Sequence, residues 1–87
     1  MQLSGKAERL LKVAAASSEA SIIVEIVQAM ECVSVDNKNL IRRQTPKDIA
    51  GWKEALEELE REGFVRVSDD GWIHSVTGNG FTAADKL

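Results

Sequence analysis

The sequence predicts an α+β domain with a long central helix flanked by two β-hairpins. Three observations carry that prediction. Thr45 to Gly63 has the start signal, apolar stripe and stop signal of one amphipathic helix. Two β-branched runs, Ile22–Val27 and Cys32–Val35, precede it, and two short runs around Ser68-Asp69-Asp70-Gly71 follow it. The length of 87 residues, with 44% hydrophobic and 29% charged residues, suits one small domain covering residues 1–87. Because Met1 leads directly into a helix-start signal, the chain reads as a domain taken from a longer protein.

The first helix is expected from Ser4, whose hydroxyl suits an N-cap, with Glu8 near the positive end of the helix dipole. Leu3, Ala7, Leu10, Leu11 and Ala14 recur at helical spacing, and the helix should end around Ala16 to Ser18. Lys6, Arg9 and Lys12 share the other face, which reads as a solvated surface in preference to a phosphate-facing stripe.

Residues 21–36 admit two readings. Ile22, Ile23, Ile26, Val27 and Met30 fit a helical period, which would give a helix over 19–31. The density of β-branched residues and the period-two run Cys32-Val33-Ser34-Val35 instead favour a hairpin, with strands near 21–28 and 32–36. Asp36-Asn37-Lys38-Asn39 is turn-rich, and Leu40-Ile41 resumes the apolar pattern.

The central helix is fixed at both ends. Thr45 caps it, Pro46 takes the first turn, and Asp48 stands where a capping box places its acid. Ile49, Trp52, Ala55, Leu56 and Leu59 form one stripe, and Lys53–Glu57 and Glu57–Arg61 have the i,i+4 spacing of surface ion pairs. Trp52 reads as core packing ahead of an interface anchor. Gly63 suits the left-handed residue after the helix, which brings Phe64 onto Leu59. Phe64–Val67 and Trp72–Val76 then pair across an Asp-Gly turn. Thr77 caps a final short helix with Phe81, Ala84 and Leu87 as its expected inward face.

Charge is uneven along the chain. Residues 1–47 carry seven basic and five acidic side chains, and residues 48–87 carry four and nine. With a net charge of −3 there is no global field for nucleic acid. Any polyanion or partner contact is expected among Lys38, Arg42, Arg43, Lys47, Lys53 and Arg66, and Trp72 is the candidate exposed anchor. One cysteine, Cys32, excludes an intrachain disulfide and fits a reducing cytosol. No apolar run reaches a membrane span, and no secretory pattern opens the chain, so a cytoplasmic location is expected.

Chemistry-bearing patterns are weak. His74 has no nucleophile or carboxylate motif beside it, and one His with one Cys gives no zinc-ligand spacing. The carboxylates of 57–62 have helix-surface spacing with an interleaved Arg61, and Gly78-Asn79-Gly80 is too short for a dinucleotide fingerprint. No cofactor is expected.

The run Leu56 to Val65, with Glu62-Gly63-Phe64-Val65 closing it, and Val76 to Asp85 resemble the third helix and the end of winged-helix domains. Leu3-Ser4 to Leu11, Asn37-Lys38-Asn39-Leu40-Ile41 and Trp52-x-x-Ala55-Leu56-x-x-Leu59 together resemble a small module of larger bacterial proteins, some of them defence-type effectors. In those proteins it often lies C-terminally. That module has Gly where this chain has Asn37, and glycines in the first hairpin where this chain has Ala29 and Met30. The resemblance implies a winged-helix-like order of helix, hairpin, long helix, wing hairpin and short C-terminal helix. The expected function is a non-catalytic interaction or regulatory module of a larger bacterial protein, contacting a protein partner, other domains or a second copy. The alternative is a winged-helix DNA-binding domain of a transcriptional regulator, against which the acidic central helix counts.

Overall fold

In the computed structural model, which describes residues 3–87, three helices lie on one face of a five-stranded antiparallel sheet. The first helix, α1 (Gly5–Ala16), starts where expected. The Ser4 hydroxyl accepts the Ala7 N–H at 3.2 Å, and Glu58 of the central helix accepts both the Ser4 N–H and its hydroxyl proton, at 2.8 and 2.7 Å. This cap therefore also ties two helices together. Its donors hold the Glu58 carboxyl below its ordinary value, the Ser4 N–H first and the hydroxyl second.

Residues 21–35 form a hairpin, not the alternative helix: β1 (Ser21–Val27) pairs with β2 (Met30–Val35). The second strand starts two residues before the expected position because the turn is only Gln28-Ala29. Both turn residues have positive φ, 51° and 64°, as a type I′ turn requires, although neither is Gly or Asn. Asp36-Asn37 repeats that geometry, with φ of 52° and 66°. It returns the chain as a short third strand, β3 (Lys38–Asn39), that sequence periodicity did not reveal.

The central helix, α2 (Pro46–Arg61), is capped by the Thr45 hydroxyl, which accepts the Asp48 N–H at 3.2 Å. At its other end Gly63 has φ 76°. The Phe64 N–H donates to the Leu59 carbonyl and the Gly63 N–H to the Glu60 carbonyl, a complete Schellman ending. Then follow β4 (Val65–Val67), β5 (Ile73–Val76) and α3 (Gly78–Asp85), the last capped by Thr77. The strand order is β3-β2-β1-β5-β4, so the second hairpin joins the first through β1–β5.

The register sorts the side chains. Ile22 with His74, Val24 with Val33, and Val65 with Val76 face the helices, where they meet Leu10, Leu11, Trp52, Leu56 and Leu59. Residues one step along the strands, Ile23, Ser34, Ile73, Arg66 and Ser75, therefore take the opposite, helix-free face.

The face of α3 meets the expectation at Ala84 and differs from it at Phe81 and Leu87. Phe81 and Leu87 are exposed, while Gly80 is buried and Ala83 and Ala84 pack on the core. Two bonds from Thr77 fix this rotation: its N–H donates to the Phe64 carbonyl at 2.9 Å and its hydroxyl to the Gly63 carbonyl at 2.7 Å. They bring Gly80 onto the Phe64 carbonyl, an approach that leaves no room for a Cβ. Among the described residues, no helix is long and apolar enough to cross a membrane.

Candidate functional site

Two surfaces stand out, and each gathers residues distant in sequence. The first is the uncovered end of the sheet. Ile26, Val27 and Met30 surround the β1–β2 turn, and Trp72 and Ile73 enter β5. All five are exposed, from 41% for Ile73 to 62% for Ile26. The register sets Val27 opposite Met30 and Ile73 opposite Ile23, and the Val24 N–H donates to the Trp72 carbonyl at 2.7 Å. By the same register Val27, Met30 and Ile73 take the helix-free face, whereas Ile26 and Trp72 share the side of Ile22 and His74. An antiparallel sheet with one face in water ordinarily alternates apolar with polar, so exposed apolar residues on both faces of these strands are the departure from pattern.

The β2–β3 edge of this sheet is closed to pairing. Beyond the two residues of β3, the Gln44 side-chain amide completes the β2 edge: it accepts the Glu31 N–H at 3.0 Å and donates to the Glu31 carbonyl at 2.9 Å. Two residues along β2, the Asn39 Oδ1 accepts the Val33 and Ile41 N–H groups, and the Val33 carbonyl accepts the Leu40 N–H at 2.8 Å. Side-chain amides thus occupy backbone groups that an exposed edge would offer to another strand.

The second surface is a cleft of about 180 Å³ where α1 meets the start of α2, lined by Lys6, Arg9, Leu40, Arg42, Asp48 and Trp52. The Lys6 ammonium lies over the Trp52 ring, 5.5 Å from its centroid. Gly51 eases that approach, since a Cβ there would stand 3.1 Å from Lys6 Cε. A larger concavity of about 490 Å³ between α1 and α3 is mainly apolar, with Leu3, Phe64, Ala83 and Leu87 among its lining.

The expected contact residues do not form one site. Arg42 lines the cleft. Arg43 and Lys47 are exposed nearby without lining it. Lys38 and Arg66 lie on opposite edge strands of the sheet. Lys53 pairs with Glu31 of β2, the one ion pair within 4 Å among the described residues, so the expected Lys53–Glu57 and Glu57–Arg61 pairs do not form. Trp72 is 46% exposed and Trp52 is buried. Lys6 and Arg9, read as a solvated stripe with Lys12, converge on Arg42 instead. A glycine in the middle of a helix was the available signal, since it costs about 1 kcal/mol against alanine and suggests a close neighbour.

His74 is buried on the helix side with its Nδ1 unpartnered. Burial lowers its pKa below the ordinary value, opposed by the charge of Glu60. Among the described residues no group of three or more His, Cys, Asp or Glu is arranged to hold a metal ion. Comparison of the chain with protein-family models, curated proteins and solved structures finds no match.

Proposed function

We propose that this chain is a non-catalytic interaction module of a larger bacterial protein, working in the cytoplasm and docking a protein surface through the open end of its sheet. The observation that carries this reading is the set of exposed apolar residues Val27, Met30 and Ile73 on the helix-free face of the sheet, with Ile26 and Trp72 exposed on its other side. Covering such apolar surface is favourable by roughly 25 cal/mol per Å² removed from water, and aromatic residues such as Trp72 are common interface anchors. The order α1, hairpin, α2, hairpin, α3 supports a winged-helix-like description, with β4–β5 in the position of the wing.

Reading DNA through α2 is the weaker alternative. The exposed face of α2 carries Glu54, Glu57 and Glu60, with Glu62 at its end. Each would approach phosphates with like charge, whereas binding to a duplex draws on cations and released counterions.

The test uses Val27→Glu and Ile73→Glu in the natural gene product. Both positions are exposed and outside the core, so the circular dichroism of the variants should match the parent. Loss of co-purifying protein partners in both variants, with retention in Arg66→Glu as control, is expected. Retention in all three would reject the sheet end as the docking surface.

A further inference from the structure

The basic cleft between α1 and α2 stands independently of the sheet surface. Lys6 and Arg9 are three residues apart on α1, and Arg42 reaches the same cleft from the segment before α2. None of the three has an ion pair within 4 Å among the described residues, while Lys53, on the next turn of α2, does. Asp48 is the single carboxylate in the lining and pairs with none of them within 4 Å, so the three cations repel one another, which an anionic ligand would relieve. Lys6 is also positioned in advance. Its stem lies across Gly51 and its ammonium over Trp52, so less side-chain freedom remains to be lost when a ligand arrives.

The geometry points to a phosphate-monoester site in this cleft, with Arg9 and Arg42 as the forked donors and Lys6 as the point charge. Three cations against the single carboxylate of Asp48 leave +2 in the lining. A phosphate monoester carries about −1.5 to −2 at neutral pH, which complements that charge. Guanidinium groups pair with phosphate oxygens through two parallel hydrogen bonds. At about 180 Å³ the cleft is below the roughly 300–1,000 Å³ of sites that enclose a whole small molecule, so it holds one charged group while the rest of the ligand lies outside. The acidic surface further along α2 disfavours a ligand with a long run of phosphates.

The test is a titration of the whole 87-residue chain followed by amide and indole NMR shifts. Its probes are inorganic phosphate, a phosphoserine peptide, the same peptide unphosphorylated, and a single-stranded oligonucleotide. Saturable shifts at Lys6, Arg9, Arg42 and the Trp52 indole are expected with the phosphorylated probes and not with the unphosphorylated peptide. Equal affinity for both phosphorylated probes would assign a free small phosphate, and about ten-fold tighter binding of the peptide would assign a phosphorylated side chain.

Arg42→Gln should weaken binding about ten-fold, the usual effect of removing a charged hydrogen-bond partner. Lys12→Gln, on α1 but outside the cleft, should leave it unchanged. Gly51→Ala should weaken it less than Arg42→Gln does, because the flexible Lys6 stem has to give by only a few tenths of an ångström and the fold is retained. Equal weakening by Lys12→Gln and Arg42→Gln, shifts that never saturate, or tightest binding to the oligonucleotide would each overturn the proposal.

Discussion

Replacing Gly80 with alanine tests how the last helix is seated. An added Cβ would stand 2.2 Å from the Phe64 carbonyl oxygen and 2.8 Å from Val76 Cγ1. The carbon–oxygen distance is about 1 Å less than the ~3.3 Å of a close C–H···O contact. The carbonyl cannot easily yield. It accepts the Thr77 N–H at 2.9 Å, and its residue is held by the Phe64 N–H bond to Leu59 at the Schellman ending. Overpacking of this kind costs roughly 1–3 kcal/mol, and the upper end applies because backbone has to move. Alanine recovers up to about 1 kcal/mol of helix propensity, leaving a net loss of about 2 kcal/mol. That is a large part of the ~4–13 kcal/mol expected for a chain of this length.

Gly78→Ala is the matched control. It lies in the same helix with nothing within 4 Å of the added Cβ, and should be neutral or stabilising by a few tenths of a kcal/mol. Urea unfolding followed by far-UV circular dichroism should move the Gly80→Ala midpoint down by about 1–2 M with an unchanged slope. A Gly80→Ala protein as stable as Gly78→Ala would refute the close approach and with it the rotation assigned to α3.

Three further expectations follow from the same geometry. Ala29→Gly should stabilise the protein by about 0.5–1 kcal/mol in the same urea assay, because relief of the left-handed strain at φ 64° exceeds the added unfolded-state entropy; a destabilised variant would show that the turn is not type I′. Ser4→Ala should cost about 1 kcal/mol by removing the α1 cap, and it should return the Glu58 carboxyl toward 4.5 in an NMR titration, since one of its donors is lost. His74 is held neutral by burial, with a folded pKa below 6.5, so the unfolded chain binds more protons as pH falls below that value. Stability should be flat with respect to this group above pH 6.5 and fall below it until the folded pKa is reached, by at most about 1.4 kcal/mol per pH unit. Removal of that slope in His74→Phe would identify the group, and its persistence would exclude it.

Local signals made much of the fold legible. Ser4, Thr45 and Thr77 cap the three helices, Gly63 stops the central one, and Gly71 closes the second hairpin with φ 80°. Each works through hydrogen bonds within a few residues, which sequence spacing encodes. The joining of the two hairpins was not legible. It pairs Ile23 with Ile73, fifty positions apart, and a run of β-branched residues does not specify its partner. The β3 strand was hidden because Asp36 and Asn37 read as loop while serving as a tight turn.

The surfaces followed the same division. Basic residues near Arg42 were legible as a cluster in sequence, but Lys6 and Arg9 reach it only through the packing of α1 against α2. Trp72 could be singled out as an anchor. The companions Ile26, Val27 and Met30 looked like ordinary strand residues, and only the assembled fold leaves them exposed.

The most direct test of the interaction reading is oxidative footprinting by mass spectrometry of Met30 and Trp72, two readily oxidised side chains on the exposed sheet end, each 46% exposed. Buried Trp52 serves as the internal reference. The chain alone and the natural gene product in its native assembly are compared under the same oxidant. The account predicts rapid labelling of Met30 and Trp72 in the chain alone and several-fold protection of both in the assembly. Equal labelling of both residues in the two samples would contradict it.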